Sequence, residues 1–247
     1  MPSSFDFTKA LSFIESNGKQ LYHPGFKVLP EDYEIIFRLL VYFLRDTTNA
    51  EKYQISFRKG ILLSGPVGCG KTSLMHLMRF FQPPEQRYSV KTCRDISFEF
   101  IQDGYTVVQK YSKQAFSQSL PRTHCFDDLG TENNLKYFGN ECNVMAEILL
   151  SRYDLFVSHK MITHITTNLS SSEIEEMYGT RVRSRLREQF NLIAFNSTAK
   201  DKRTWDLFLT PTFIESVKKK PFLLQFVILE IQMEKPIYLN QHTQQSC

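Results

Sequence analysis

The run Gly65-Pro66-Val67-Gly68-Cys69-Gly70-Lys71-Thr72 constrains this chain more than any other feature, because it follows the apolar stretch Ile61-Leu62-Leu63 and precedes a helical pattern. It matches G-x-x-x-x-G-K-[ST] in the strand, loop and helix context that gives the pattern its physical meaning. The glycines let backbone N–H groups turn inward around an anion, and the positive end of the helix dipole near Gly70 adds to the attraction. Lys71 then reaches the β- and γ-phosphates of a nucleotide, and Thr72 offers its hydroxyl to Mg²⁺. Ser73 closes the binding run. A glycine-rich turn that merely precedes Lys-Thr is the competing explanation, and the flanks argue against it. The chain is expected to bind ATP and Mg²⁺ and to hydrolyse the nucleotide.

Short apolar runs alternate with longer helical patterns on either side of this loop, which is the mark of an α/β sheet. Pro30-Glu31-Asp32 opens a helix with apolar positions Ile35, Ile36, Leu39, Leu40 and Phe43 at helical spacing. Strand Gly60 to Ser64 follows, then a helix from Lys71 to Phe81 stopped by Pro83-Pro84, and a second strand near Arg87 to Thr92. After a helical stretch, a third strand ends at Phe126-Asp127. A helix is expected from about Asn140 to Asp154, and a fourth strand from Met161 to Thr167. Ser170-x-x-Glu173 is a capping box, Thr180 to Glu188 reads as helix, and Asn191 to Phe195 supplies the fifth strand. No motif falls on Trp205 to Cys247.

At 247 residues the chain can bury one substantial core with small additions. Its 30 basic and 26 acidic residues give a charge of only +4, so contact with nucleic acid has to be local rather than driven by a general positive field. Five cysteines, Cys69, Cys93, Cys125, Cys142 and Cys247, form no C-x-x-C pair and would leave one over from any disulfide set, which suits a reducing compartment. The run Phe222 to Ile231, read as the most apolar, is broken by Gln225 and Glu230 and falls short of the ~20 residues that span a bilayer. A soluble, cytoplasmic protein with no membrane partner is expected.

Three further segments carry chemistry. Thr123-His124-Cys125-Phe126-Asp127-Asp128-Leu129-Gly130 reads as a strand ending in two carboxylates: Asp127 to fix a metal shell and Asp128 to orient or deprotonate water. Alone, two aspartates before glycine are commonly a turn; downstream of a phosphate loop they fit a catalytic site. Ile162 to Asn168 is a β-rich segment whose terminal Asn168 can hydrogen-bond both water and a phosphate oxygen, or serve only as a helix cap. Arg181-Val182-Arg183-Ser184-Arg185-Leu186-Arg187 places Arg181 with Arg185, and Arg183 with Arg187, on shared helix faces. Such like charges suit a phosphate or carboxylate partner, or else form a solvated face relieved by Glu188 and nearby acids.

Taken together and in order, the Gly65 to Thr72 loop, Asp127-Asp128-Leu129-Gly130-Thr131-Glu132, Thr166-Thr167-Asn168-Leu169 and Tyr178-Gly179-Thr180-Arg181-Val182-Arg183-Ser184-Arg185-Leu186-Arg187 resemble the DnaC/IstB-like branch of the AAA+ ATPases, related to DnaA. The resemblance covers roughly Pro30 to Arg203. It implies a P-loop AAA+ core with a five-stranded parallel sheet in the order 5-1-4-3-2 between helices, and nucleotide at the carboxyl ends of strands 1 and 3. It makes Asn168 the sensor-1 residue, Arg185 an arginine finger acting on a neighbouring subunit with Arg181 in support, and Lys202 or Arg203 a sensor-2 group. Self-association through the ATP site follows from the finger.

The expected domains are an N-terminal extension, 1–29, the ATPase domain, 30–203, and a C-terminal tail, 204–247, with no counterpart in the family. Many AAA+ proteins have Glu where this chain has Asp128, a substitution known in this branch whose shorter side chain bears on the hydrolysis rate. Phe5, Phe7, Leu11, Phe13 and Ile14 suggest a small amphipathic helix in the extension rather than a full helicase-binding domain.

The leading function is a helicase loader in DNA replication that binds single-stranded DNA and a replicative helicase. Arg94, Lys110, Tyr111 and Lys113 are the DNA-contact candidates, and a solvated helix face explains the same residues. An IstB-like transposition helper shares all four motifs and differs in having a transposase as partner. A small-molecule P-loop kinase or a nucleotide-gated scaffold without turnover completes the alternatives.

Overall fold

Residues 5–132, 135–137 and 140–203 are described by a computed structural model. The tail from 204 on, with Trp205 and Cys247, lies outside the described residues. The chain divides between Lys202 and Arg203, and the described residues up to Lys202 make one compact unit.

In chain order that unit contains α1 (Phe7–Leu21), α2 (Tyr33–Phe43), α3 (Thr47–Lys52), β1 (Gly60–Ser64), α4 (Lys71–Met78), β2 (Ser89–Thr92), α5 (Cys93–Asp103), α6 (Thr106–Tyr111), β3 (His124–Leu129), α7 (Val144–His159), β4 (Thr163–Thr167), α8 (Ser171–Gln189) and β5 (Phe190–Ala194). Two antiparallel ribbons, Phe116–Ser117 with Leu120–Pro121 and Leu135–Tyr137 with Asn140–Cys142, lie outside the sheet. The sheet order is β2-β3-β4-β1-β5, which from the other edge reads 5-1-4-3-2, and each neighbouring pair is parallel.

Both faces of the sheet are covered, as parallel sheets require. The two-residue period of the strands sorts side chains between two cores. Ile61, Leu63, Cys125 and Ile193 join α1, α2 and α4 on one face. Leu62, Phe126, Ile165 and Phe190 join α5, α7 and α8 on the other. The N-terminal segment packs into the first of these cores through buried Ala10 and Ile14, with Phe5, Phe7 and Leu11 partly buried against it. Phe13, 43% exposed, instead lies edge-on to Phe81.

Several boundaries differ from the sequence reading. The helix expected from Asn140 begins at Val144, because the Asn143 side chain accepts the Ala146 N–H as an N-cap, and residues 140–142 are ribbon. It ends at His159, with Lys160 in the left-handed conformation as C-cap. The fourth strand starts at Thr163, and α4 tightens to 3₁₀ geometry over Arg79–Phe81. Helix α8 begins at Ser171, where Ser170 and Glu173 form both bonds of a capping box, and it carries a non-helical residue, Gly179.

Two histidines are built into the sheet. His164 on β4 is 1% exposed, and its Nδ1 accepts the Ile61 N–H at 3.0 Å amid the rings of Tyr42, Phe43 and Tyr88. Burial, reinforced by the Arg152 guanidinium, lowers its pKa to about 3. His124 on β3 is depressed to about 4, again by burial first and Arg152 second. Arg152 itself is fully buried and is held by Thr163 Oγ1 and the carbonyls of Tyr111, Arg122 and Ile162, at 2.7–3.1 Å.

Candidate functional site

Because β4 lies between β1 and β3 and all three run in parallel, their carboxyl ends open on one edge of the sheet. The loop after β1 holds Lys71 there, 4% exposed. Its Nζ donates to the carbonyls of Gly65 (2.9 Å) and Pro66 (2.8 Å) and to Asn168 Oδ1 at the tip of β4. Thr72 Oγ1 lies 3.0 Å from both carboxylate oxygens of Asp127 on β3. Asp127, 3% exposed, also accepts from Thr166 Oγ1 at 2.7 Å. The sequence-predicted Lys71, Thr72, Asp127 and Asn168 are thus one connected cluster.

Asp128 departs from strand geometry. Its φ is +54°, and the β3–β4 register breaks between Phe126 and Leu129. Regular alternation would send neighbouring side chains to opposite faces. Instead the Asp128 N–H donates to Thr166 Oγ1 at 2.8 Å, and its carbonyl accepts from the N–H and hydroxyl of Thr131 in a tight turn. The third strand therefore runs two residues beyond the expected end, with the second carboxylate at a kink, half-buried.

The phosphate loop is closed from behind by the segment after β5. Gly68 has φ +78°, a conformation that favours glycine, and a Cβ there would fall 1.9 Å from the carboxylate of exposed Asp201, which would have to move aside. Lys202 donates its backbone N–H to the Gly68 carbonyl (3.0 Å) and its Nζ to the Cys69 carbonyl (2.8 Å) and to buried Asp32. Of the two sensor-2 candidates, Lys202 adjoins the loop. Beside these contacts is a cavity of about 440 Å³ lined by Glu31, Asp32 and Ile35 on one side and Phe195, Asn196 and Thr198 on the other. That volume falls within the range of small-molecule sites. Asp32 and Phe195 had no motif to flag them; only the fold brings them together.

The residues fit Mg²⁺ and a triphosphate. Among the described residues no cluster of three or more His, Cys, Asp or Glu forms a protein cage. A hydroxyl and one carboxylate beside a phosphate-binding loop are instead the sparse donor set of a magnesium completed by phosphate oxygens and water.

The four arginines of α8 do not share one environment. Arg181 and Arg187 are exposed. Arg183 pairs with Glu175 at 2.6 Å and donates to Ser171 Oγ at 2.9 Å. Arg185 lies over the Tyr153 ring, 4.3 Å from its centroid, and donates to the Tyr153 hydroxyl at 3.0 Å, which in turn donates to Glu188. Among the described residues, Arg185 is held by Tyr153 rather than by the chain's own phosphate loop.

The DNA-contact candidates also separate. Tyr111 is 5% exposed and bonds to Glu99, so its ring is core and cannot stack on a base. Lys110 pairs with Glu99 at 2.9 Å, while Arg94, over the exposed Phe98 ring, and Lys113 stay at the surface. Glu99 is held at about 2, because bonds from Lys91, Lys110 and Tyr111 outweigh the cost of its burial. The four cysteines among the described residues are free and buried, and no described helix is long and apolar enough to cross a membrane.

No family model and no curated protein matches the chain. Among solved structures it is similar to the DnaC helicase loader, with 19% identity over 68% of this chain and 92% of that one and a TM-score of 0.49. It is similar to DnaI at 18% identity, over 70% and 89% of the two chains with a TM-score of 0.47. It is also similar to AMPPCP-bound DnaA from Aquifex aeolicus, at 16% identity over 70% and 48% with a TM-score of 0.44. These are proteins that the chain resembles in fold; its own sheet order and connections make it an α/β protein with a parallel sheet between helices and a glycine loop between β1 and α4.

Proposed function

We propose that the chain is a replication ATPase of the helicase-loader kind, which binds ATP with Mg²⁺ at the Gly65–Ser73 loop and hydrolyses it in a site completed by a second copy. The observation that carries this reading is the convergence of Lys71, Thr72, Asp127 and Asn168 at the ends of three adjacent parallel strands.

Phosphoryl transfer is mainly positioning and charge stabilisation. The Lys71 ammonium, now held by loop carbonyls, exchanges them for β- and γ-phosphate oxygens. Thr72 and Asp127 would hold magnesium, which supplies positive charge against the phosphate oxygens. Asp128, turned out of the strand, orients the attacking water and takes its proton, and Asn168 hydrogen-bonds water and phosphate. The cavity between Asp32 and Phe195 receives the base. Arg185, with Arg181 beside it, acts on the neighbour's nucleotide. Single-stranded DNA meets Arg94, Lys113 and the exposed Phe98, and the protein partner is a replicative helicase.

The test is ATP binding and single-turnover hydrolysis, with and without single-stranded DNA. Lys71→Ala should lose tight binding, and Asp128→Asn should bind ATP but turn it over poorly. Full activity in Lys71→Ala would remove the phosphate-loop assignment.

A further inference from the structure

The turn that carries Asp128 is joined to the arginine helix by buried polar contacts that the reaction scheme above does not use. Glu132, 5% exposed, accepts the Gly130 N–H through Oε2 at 2.9 Å. Its Oε1 accepts the hydroxyl of Tyr178, which is 8% exposed. Removing either donor would leave the charge short of partners in a place that water does not readily enter, so the turn and Tyr178 are held as one piece.

The next residue along α8 is Gly179, at φ +85° and ψ 163°. Nothing lies within 4 Å of where its Cβ would be, so no neighbour imposes this geometry by crowding. It breaks the helix immediately after the latched tyrosine. On the near side, Asn143 Nδ2 holds the Met177 carbonyl at 3.1 Å. On the far side, residues 180–189 carry Arg181 to Arg187 and rest on the second core through Val182 and Leu186. A fixed point, a hinge and an arginine-bearing half-helix therefore follow one another in that order.

We propose that Glu132 and Tyr178 are positioning residues, a buried latch through which the Asp127–Asp128 turn sets the orientation of the arginine half of α8. This rests on the nucleotide reading above, since the turn is placed to respond to what occupies the site beside Asp127. Nucleotide and metal drawn against the carboxylates pull on the 128–131 turn; Glu132 transmits the pull to Tyr178, and Gly179 converts it into a rotation of residues 180–187. In this way the state of a subunit's own site governs how its arginines are presented outward.

The experiment is hydrogen exchange of the full chain, read by mass spectrometry with and without Mg²⁺ and a non-hydrolysable ATP analogue. In the parent, nucleotide slows exchange in both the 65–72 loop and the 180–187 segment. In Tyr178→Phe, which keeps the ring and removes only the hydroxyl, the loop is still protected and the response of 180–187 is lost. Glu132→Gln gives an independent second variant with the same expected split. Equal responses of 180–187 in parent and variants would overturn the latch, as would a parent in which the loop responds and 180–187 does not. A parent loop without protection would remove the nucleotide reading and the latch with it.

Discussion

Lowering the pH from 7 to 5 should destabilise this protein through His164 and His124. In the unfolded chain both imidazoles titrate near about 6.5 and are almost fully charged at pH 5. In the folded protein burial holds them at about 3 and about 4, so both remain neutral. A depressed folded pKa gives stability that is complete above the unfolded value and is lost as pH falls through the window down to the folded one. At pH 5 the difference is about 1.5 pH units for each ring, or about 2 kcal/mol each and about 4 kcal/mol together. Against a typical total of about 5–15 kcal/mol this is a large fraction. Half-buried His76, also lowered by burial, acts in the same direction. Glu99 interferes little, because its contribution is lost as pH falls from the usual carboxylate value of 4.5 to about 2, a window that lies below pH 5. Urea unfolding at the two pH values measures the effect. The control is His164→Asn, in which the amide oxygen takes over the bond from Ile61. It should be less stable at pH 7 yet lose about half of the pH dependence. An unchanged slope in that variant, or an imidazole resonance of His164 titrating near the unfolded value, would refute the reasoning.

Gly179→Ala should cost about 1–3 kcal/mol in urea unfolding, because φ +85° with ψ 163° is close to a glycine-only conformation. Since the space there is open, the whole loss should be backbone strain, and a neutral substitution would mean that the helix straightens at no cost. Arg185→Ala removes the guanidinium from Tyr153, so it should lower stability by about 1 kcal/mol. The same variant should bind ATP normally and hydrolyse it poorly, and mixing it with Lys71→Ala should restore part of the turnover. Absence of rescue at every mixing ratio would count against action between subunits.

Local chemistry made much of this molecule readable in one dimension. The loop from Gly65 to Thr72 could be read because its glycines, lysine and threonine are contiguous and its flanks are short. The Ser170 capping box could be read because its partners are three residues apart. Strands β1 and β5 were placed within a residue of their ends by their apolar runs.

What failed in that reading failed for want of long-range information. Tyr111 looked like a surface aromatic beside two lysines, and only the packing of α5 and α6 turns it onto Glu99. The helix start near Asn143 was misplaced because the adjoining ribbon is held by cross-strand pairs, which local periodicity does not record. Asp32, through Lys202, and Phe195, against Gly65, come to the phosphate loop from parts of the chain far from it in sequence, and no motif announces them.

The sequence by itself determined which groups are candidates to hold an anion and a metal, since the glycine loop with Lys71 and Thr72, and the Asp127-Asp128 pair, each lie within a few consecutive residues. The tertiary structure alone decided that β4 lies between β1 and β3, so that Asn168 meets Lys71 and Asp127 meets Thr72. It alone joined Glu132 to Tyr178 across 46 positions. Pairings of that kind depend on burying both faces of one sheet at once, a condition on the whole chain that no single segment can express.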